Sequence, residues 1–393
     1  MNTTVLSRFL CAGALGLGLL TGAASPASAA SPASHPPQDT VAGRPVTASA
    51  VSEAGAGELM RRQQPLLDAA HELRRRGVAS LKGFSGIRVD PERSTLRLAW
   101  KGSLPASVKR TVRQLSGPSV RIEVHRAESP QPAAGVAPPT VSVAARTSTE
   151  PVAGDTDPAP RPAGRVNDRA PVSGGALIIT EAETCTTGFG VVSEATGRRQ
   201  LLTAGHCGPV GSPWFNGDGE FLGNAAARHP EADALVVDVE STDRVWHGKV
   251  TENLDGIDDT ARTVSGARTP EIGQYLCTSG AVSGTHCGLR VTRVGVVLSI
   301  GGTEVPGQVE AEQTEHTAAA GNGDSGAPVY SAATSTGPVT AHGMITAYDR
   351  QETAPCSGAP TGNGRACSWR VYFTDMLTIM KATGTRLPEQ SVR

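Results

Sequence analysis

The chain has 393 residues with 36 basic and 37 acidic side chains, which gives a formal net charge of −1. That near-neutral total hides two oppositely charged regions. Residues 51–128 carry 15 basic and 8 acidic side chains, a net of +7, whereas residues 172–393 carry 15 and 24, a net of −9. The basic region has only two aromatic residues, Phe84 and Trp100, and no nucleic-acid-binding motif. We therefore expect no nucleic-acid partner, and expect the basic region to dock on the acidic one.

The first 29 residues have the pattern of a secretory signal peptide. Arg8 precedes an apolar run from Phe9 to Leu20, and Ala27-Ser28-Ala29 is a small-residue cleavage pattern. The apolar run is too short for a permanent membrane anchor. We expect a secreted, extracellular monomer with no membrane association after the signal is cleaved.

Residues 30–128 are predicted to form a small α+β domain. Apolar residues recur at helical spacing from Glu58 to Arg76, and alternation with polar residues predicts a hairpin from Gly83 to Lys101. A short helix follows from Pro105 to Leu115, with proline near its first turn, and Val120 to Val124 is predicted as a closing strand.

Residues 129–171 are predicted to be an extended linker. Nine prolines lie between Ser129 and Val172, among many alanines and glycines and with no aromatic residue. Such a composition cannot bury enough apolar surface to offset the entropy of ordering the chain. The linker therefore separates two domains.

Residues 172–393 are predicted to be all-β. Short strands broken by glycines are indicated at 176–180, 188–192, 201–203, 234–239, 289–297 and 339–347. The one amphipathic helix is predicted from Phe373 to Ala382. Many short strands separated by glycine turns are typical of sandwiches and barrels.

Three residues in this region have the types and order of a serine hydrolase triad. Ser325 lies in Gly323-Asp324-Ser325-Gly326, and His206 lies in Leu201-Leu202-Thr203-Ala204-Gly205-His206-Cys207. Asp233 lies between them, in Asp233-Ala234-Leu235-Val236. A serine hydroxyl needs an imidazole base within hydrogen-bond reach, and a carboxylate holds that imidazole in one tautomer. The order His, Asp, Ser is that of the chymotrypsin class.

These motifs resemble those of the secreted bacterial chymotrypsin-like proteases of the streptogrisin and alpha-lytic group. The resemblance extends from about residue 172 to 385 and includes Cys185-Thr186-Thr187-Gly188, Cys277-Thr278-Ser279-Gly280 and Gly284-Thr285-His286-Cys287-Gly288. It implies a chymotrypsin-like double six-stranded β-barrel with a C-terminal helix over 172–393, with the triad in the cleft between the barrels. The α+β domain resembles the pro-domains of this family.

Further site residues are implied by the resemblance. The backbone N–H groups of Gly323 and Ser325 would form the oxyanion hole. Relatives often place an arginine after the cysteine that corresponds to Cys277, as a partner for the buried acid Asp324. This chain has Thr278 there. Another arginine, or a new N-terminus near Val172, are the alternatives.

The substrate pocket departs from the family pattern. The residues at its positions are Ala319, Ala320, Thr346, Ala347 and Tyr348. No acid stands where trypsin-like enzymes bind Lys or Arg, so we expect a preference for small or medium apolar side chains before the cut.

Seven cysteines are present, and six remain once Cys11 leaves with the signal peptide. Six cysteines in an exported protein indicate disulfides, with fifteen possible pairings. Proximity and the resemblance favour Cys185–Cys207, Cys277–Cys287 and Cys356–Cys367. His206-Cys207 and His286-Cys287 also offer zinc-ligand types, but neither has the spacing of a structural zinc site. We expect no metal and no other cofactor.

The most economical interpretation is a secreted serine endopeptidase that acts on polypeptides. Its pro-region would serve as intramolecular chaperone and inhibitor, and would be cut away around Ala170 to Ser173. Two alternatives are a catalytically impaired binding protein on the same fold and a secreted esterase. An α/β-hydrolase esterase would need Ser before Asp before His and a G-x-S-x-G elbow, and Ala327 breaks that elbow.

Overall fold

A computed structural model describes residues 53–127, 141–142, 164–250, 256–359 and 364–388. These residues all fall in a single unit, Ala48–Arg393. The predicted signal peptide and most of the predicted linker lie outside the described residues.

The N-terminal α/β region has the predicted order of helix, hairpin, helix and strand. Its elements are α1 (Glu53–Arg75), β1 (Phe84–Asp90), β2 (Thr95–Trp100), α2 (Ala106–Leu115) and β3 (Arg121–Arg126). β1 and β2 pair antiparallel, and β3 adds to β2 in parallel, so the three strands form a small separate sheet. Leu96 and Leu98 alternate along β2 and are fully buried together with Leu66 and Leu73 of α1. Burial of these side chains supplies most of the region's stabilisation, because each contributes roughly 1.5–3 kcal/mol.

Residues beyond this region form strands, as predicted, but several are longer than the glycine-broken pattern indicated, with 17 residues in the longest. They are β4 (Val141–Ser142), β5 (Val172–Gly174), β6 (Leu177–Ile179), β7 (Thr184–Thr186), β8 (Gly190–Ser193), β9 (Arg199–Ala204), β10 (Pro213–Phe215), β11 (Phe221–His229), β12 (Ala234–Val237), β13 (Ser241–Val250), β14 (Gly256–Ala267), β15 (Tyr275–Gly280), β16 (Gly284–Ile300), β17 (Thr303–Gln313), β18 (Ala320–Gly321), β19 (Pro328–Ala332), β20 (Val339–Asp349), β21 (Thr353–Ala354), β22 (Cys367–Ser368), β23 (Arg370–Asp375) and β24 (Thr385–Arg386).

Two large sheets contain most of these strands. The first has eight strands in the order β24-β8-β9-β12-β11-β10-β6-β7. The second contains a closed ring of six, in which β19, β15, β16, β17, β23 and β20 follow one another and β20 pairs again with β19. β14, β13 and β5 extend the second sheet beyond β20. The second sheet therefore has the expected six-stranded barrel, and the long β13–β14 hairpin is an addition that the sequence patterns did not indicate.

The C-terminal helix α3 spans Met376–Thr383, three residues later than predicted. Phe373 to Asp375 instead end β23, because the Asp375 side chain accepts a hydrogen bond from the Leu377 N–H and so caps the helix. Gly384, in the left-handed conformation with φ of 62°, ends the helix.

The N-terminal region packs on the second sheet through the first turns of α1. Leu59 and Met60 belong to the same buried cluster as Tyr275 and Cys277 of β15. Ala56 is buried in the same cluster, and it lies in the part of α1 that precedes the helix predicted from Glu58. Gln63 is also fully buried there.

The cap residue Asp375 generates a prediction about stability and pH. Burial raises the pKa of Asp375 to about 6, outweighing the bonds from Leu377 and Thr269 and the nearby charge of Arg74, while Glu271 raises it further. A carboxyl whose pKa is higher in the folded than in the unfolded state favours folding at low pH, and loses that contribution as pH rises from about 4 to about 6.

Asp375→Asn keeps the capping oxygen without the charge. We expect its melting temperature relative to wild type to rise as pH increases from 4 to 7. Thermal unfolding of the full chain measures this, with the exposed Glu315→Gln as control. Parallel curves for Asp375→Asn and wild type would contradict the prediction.

Candidate active site

The candidate base His206 lies in a short helical turn, Gly205–Cys207, directly after β9. Gly205 packs against the backbone of the Asp233 turn, and a Cβ there would lie 2.8 Å from the Ala234 nitrogen. Only glycine therefore permits this approach. Cys207 forms a disulfide with Cys185 of β7, which ties the histidine turn to the first sheet.

Asp233 lies opposite His206, immediately before β12. Its backbone is left-handed, with φ of 46°, a conformation that aspartate tolerates better than most residues. Its Oδ2 is 2.9 Å from Nδ1 of His206, and its Oδ1 accepts the backbone N–H of His206 at 2.9 Å. The carboxylate thereby fixes both the ring and the backbone of the histidine.

Ser325 completes the row of three side chains from the other sheet. Its Oγ is 2.8 Å from Nε2 of His206, and the serine is fully buried. The side chains of His206 and Asp233 are 7% and 4% exposed. Gly326 has φ of 86°, and a Cβ there would lie 2.4 Å from Oγ1 of Thr203. The structure thus brings together the three residues that the motifs singled out.

Two backbone N–H groups beside Ser325 are free to bind an oxyanion. Among the described residues, the N–H groups of Gly323 and Ser325 have no hydrogen-bond acceptor. Gly323 adopts φ of 92°, which favours glycine, and its carbonyl accepts a bond from Oγ1 of Thr186 at 2.8 Å. That bond fixes the Gly323 carbonyl, in the turn that contains both N–H groups.

The partner of Asp324 is an arginine that the motifs did not indicate. Arg365 Nη2 lies 3.5 Å from Oδ2 of Asp324, and the two side chains are 4% and 1% exposed. Ser283 relays between them, since its hydroxyl donates to Asp324 and accepts from Arg365. The Thr278 hydroxyl donates instead to the Ala319 carbonyl, at 2.7 Å. The sequence contains one signal for this role, because Arg365 lies inside the loop between Cys356 and Cys367.

The five pocket residues do not share one surface. Ala319, Ala320 and Tyr348 belong to one buried cluster, and the Tyr348 hydroxyl donates to Asn322 at 3.1 Å. Ala347 belongs to a different cluster, and the Thr346 hydroxyl contacts that of Thr374 at 3.2 Å. A register shift in the β20–β23 pairing accompanies this divergence.

The structure contains three disulfides, Cys185–Cys207, Cys277–Cys287 and Cys356–Cys367. Such bonds are typical of extracellular proteins. Among the described residues, no group of three or more His, Cys, Asp or Glu side chains could hold a metal ion. Within the same ranges, no helix is long and apolar enough to span a bilayer.

His342 is buried and His247 is half-buried, and each has a structural partner. Burial lowers the pKa of His342 to about 3 and that of His247 to about 4. His342 Nε2 contacts the Gln274 amide at 2.9 Å, and His247 Nδ1 contacts the Tyr330 hydroxyl at 2.6 Å. Both rings are therefore neutral across the physiological range.

Comparison with known proteins identifies relatives of the region that contains this site. No family model matches the chain. Serine protease 2 of Streptomyces fradiae is 28% identical over 169 residues, which are 42% of this chain and 91% of that protein. The solved Nocardiopsis protease NAPase is 22% identical with a TM-score of 0.40, covering 55% of this chain and 98% of its own. Alpha-lytic protease homolog N4 is 24% identical with a TM-score of 0.38, covering 55% and 99%.

The eight-stranded first sheet, the closed ring of the second sheet, the C-terminal helix and the separate N-terminal sheet define a chymotrypsin-like β-barrel fold, as expected. Within that class, the region that contains the site is similar to a bacterial serine protease, Serine protease 2 of Streptomyces fradiae, in line with the resemblance drawn from its motifs.

The Asp324–Arg365 pair yields a prediction about stability. Removing one partner of a buried ion pair leaves an uncompensated charge, so Arg365→Ala should lower the free energy of unfolding by about 3 kcal/mol. The loss should be smaller when Asp324→Asn is also present, because the neutral amide needs no cation. Urea unfolding of the single and double variants measures both quantities. The exposed Arg350→Ala serves as control, and equal losses in Arg365→Ala and Arg350→Ala would contradict the prediction.

Proposed function

We propose that this protein is a secreted serine endopeptidase that cleaves polypeptides through an acyl-enzyme. The observation that carries the proposal is the continuous contact from Asp233 through His206 to Ser325, with distances of 2.9 and 2.8 Å. Homology to serine proteases supports the same class of reaction. The signal-peptide pattern and the disulfides support secretion.

The geometry suits each step of peptide hydrolysis. Ser325 Oγ would attack the carbonyl carbon while its proton passes to Nε2 of His206, and Asp233 stabilises the resulting imidazolium. The negative oxygen of the tetrahedral intermediate would accept the N–H groups of Gly323 and Ser325. His206 then gives its proton to the leaving nitrogen as the C–N bond breaks. Water repeats the sequence on the ester, and the proton returns to Ser325.

Small apolar residues at the candidate pocket support a preference for small or medium apolar side chains before the cut. Ala319 and Ala320 offer no charge to a substrate side chain. Tyr348, fixed by its bond to Asn322, limits the space available.

We expect Ser325→Ala and His206→Ala each to lower kcat by about 10⁶-fold, because members of a triad act as a unit. Hydrolysis of casein and of a chromogenic peptide measures this. A serine-directed phosphonate should label Ser325 in wild type, as peptide mass spectrometry would show. The exposed Ser335→Ala is the matched control. Substantial hydrolysis by purified Ser325→Ala would contradict the assignment. Binding of peptides without turnover in wild type would favour the catalytically impaired alternative.

The N-terminal α/β region fits the role of a pro-region that assists folding. Gln63 Nε2 donates to the Tyr275 carbonyl at 2.8 Å, and Gln63 Oε1 accepts the Tyr275 N–H at 2.7 Å. Val89 N–H donates to the Ile272 carbonyl at 2.8 Å. The region therefore provides hydrogen-bond partners for backbone groups at and just before the start of β15, where it also covers apolar side chains.

The net charges of +7 and −9 predict that charge aids this docking. Arg74 pairs with the buried Glu271 at 2.8 Å, in the predicted polarity. Asp68 pairs with Arg268 in the opposite polarity, at 2.5 Å. Because these two described ion pairs differ in polarity and lie beside buried apolar contacts, we expect added salt to weaken the docking only modestly.

We expect Met60→Glu to reduce the yield of active enzyme from refolded full-length chain at least tenfold, since it puts a carboxylate into the apolar contact with β15. A folding assistant changes the number of active molecules and leaves each molecule's rate constant unchanged. Active-site titration gives the number, and kcat/KM per titrated site gives the rate constant. Arg61→Glu introduces the same group at the adjacent exposed position. Equal yields from the two variants would exclude an assisting role for this contact.

A further inference from the structure

Residues 164–171, here called the N-terminal arm, lie along both sheets, although they were assigned to the linker. The Arg165 carbonyl accepts the Leu177 N–H at 2.7 Å, and the Val166 carbonyl accepts the Gly217 N–H at 2.6 Å. Gly217 has no room for a side chain, because a Cβ there would lie 2.5 Å from Val166. The arm is thus fitted to strands of the first sheet.

Arg165 places a fully buried guanidinium between the sheets. Its Nε contacts both carboxylate oxygens of Asp259, at 2.9 and 3.1 Å. Its Nη1 donates to the Ser279 hydroxyl at 2.8 Å and to the Gly175 and Gly280 carbonyls at 3.0 and 3.3 Å. The remaining partners, at 3.3 Å from Nη2, are the Gly248 carbonyl and Oγ1 of Thr285. Such saturation of a guanidinium's donors is costly to disrupt, because the carbonyls and the acid would remain buried.

Arg165 donates to the carbonyl of Gly280, the first residue of the turn 280–283. The same turn contacts Asp324, the residue before the candidate nucleophile. A Cβ on Gly280 would lie 2.0 Å from Oδ1 of Asp324. The backbone N–H groups of Val282 and Ser283 donate to that same oxygen, at 3.3 and 3.1 Å. The turn 280–283 is therefore clamped between Arg165 and the acid adjacent to Ser325.

Asp168 provides a second anchor for the arm. Its Oδ2 accepts the Ser173 N–H and the Trp246 indole N–H, both at 2.9 Å. Its carbonyl accepts from the Asn216 side chain at 3.3 Å. A chain that began at Val172 would lose these bonds and all those of Arg165.

Strand β4, upstream of the arm, pairs with β20, the strand that also contacts the residues after the candidate nucleophile. Val141 and Ser142 pair antiparallel with Asp349 and Tyr348 of β20. Farther along β20, Ile345 exchanges hydrogen bonds with the two residues that follow Ser325. The direction from Val141 to Ser142 therefore runs along β20 toward Ser325, at about 3.3 Å per residue.

We propose that the mature enzyme retains the N-terminal arm, that maturation cuts the chain between Ser142 and Gly164, and that Arg165 is a positioning residue for the turn beside Ser325. This inference rests on the proposed function, and it moves the cut upstream of the Ala170 to Ser173 site expected from the resemblance.

Intact mass and N-terminal sequencing of the secreted form test the cut directly. A first residue between 143 and 164 supports the proposal, and a first residue from 170 to 173 overturns it. The same measurement on Ser325→Ala distinguishes retention of the arm from self-processing by the candidate active site. An uncut Ser325→Ala precursor supports self-processing. An identical cut in an inactive Ser325→Ala chain keeps the arm but assigns the processing to another protease.

Kinetics per titrated active site test the positioning role. We expect Arg165→Met to lower kcat by about 10- to 100-fold with a smaller change in KM, since misplacement of a catalytic group has an effect of this size. Arg165→Lys should recover part of the loss. Arg169→Met is the matched control, because its side chain is 62% exposed and pairs only at the surface with Glu220. Wild-type kcat in Arg165→Met overturns the positioning role.

If Arg165→Met yields no folded protein, Ser279→Ala, which removes a single Arg165 contact, should lower kcat in the same sense. Unchanged kcat in Ser279→Ala would then overturn it.

Discussion

The candidate site depends on one buried residue, Thr186, which joins the first sheet to the turn that carries the nucleophile. Its N–H donates to the Ser325 carbonyl at 2.9 Å, and its hydroxyl donates to the Gly323 carbonyl at 2.8 Å. The preceding residue, Cys185, is bonded to Cys207, which follows His206. Strand β7 thus fixes the base through a disulfide and the nucleophile through two hydrogen bonds. The 2.8 Å contact between His206 and Ser325, which come from different sheets, follows from this shared support. Preorganisation of that kind is what a low reaction barrier requires.

Three buried or partly buried acids are each compensated by an arginine from outside the strand that carries the acid. Arg365 serves Asp324, Arg165 serves Asp259, and Arg74 serves Glu271. Burial raises the pKa of Asp259 and of Glu271, and the paired arginine opposes that rise in each case. A buried ion pair adds little net stability, because desolvation offsets the attraction between its charges, but loss of one partner leaves a buried charge and is strongly destabilising. These pairs therefore specify which segments must dock. The Arg74–Glu271 pair is the one of the three that removal of the N-terminal region, as proposed, would break.

The sequence predicted those features whose causes are local. Ser325, His206 and Asp233 lie in short motifs whose glycines and turn residues set their own conformation, so the three could be proposed together. The hairpin from Gly83 to Lys101 was equally visible, since its alternating pattern matches the β1–β2 register. The start of α3 was predicted too early because an apolar residue such as Phe373 fits a buried position in either a strand or a helix. Only the cap at Asp375 fixes where the helix begins.

Features that depend on partners distant in the chain could not be predicted from the sequence. Arg165 lies in a proline-rich stretch with the composition of a linker, and 94 residues separate it from Asp259. Arg365 looks like any polar loop residue until the Cys356–Cys367 disulfide and the fold bring it to Asp324. The five pocket positions were taken from a family motif, but Ala347 and Tyr348 are neighbours on β20, so their side chains face opposite sides of the sheet and lie in separate clusters.

If the N-terminal region assists folding, as proposed, the described contacts of α1 and of β4 indicate which strands it would assist. α1 contacts β15, β16 and β19, while β4 pairs with β20. Three of these strands, β15, β19 and β20, form the closing segment of the six-stranded ring. β15 meets β19 only through pairs such as Cys277 with Tyr330, which are far apart in sequence. Long-range pairing of this kind is slow, because the entropy of loop closure must be lost before the contacts form. Helix α1 is held in its own small domain by local contacts, so it can present Gln63 and Met60 to β15 before the ring is complete. Under the proposed folding role, α1 would be needed only until β19 and β20 have paired, after which the ring holds β15 without it.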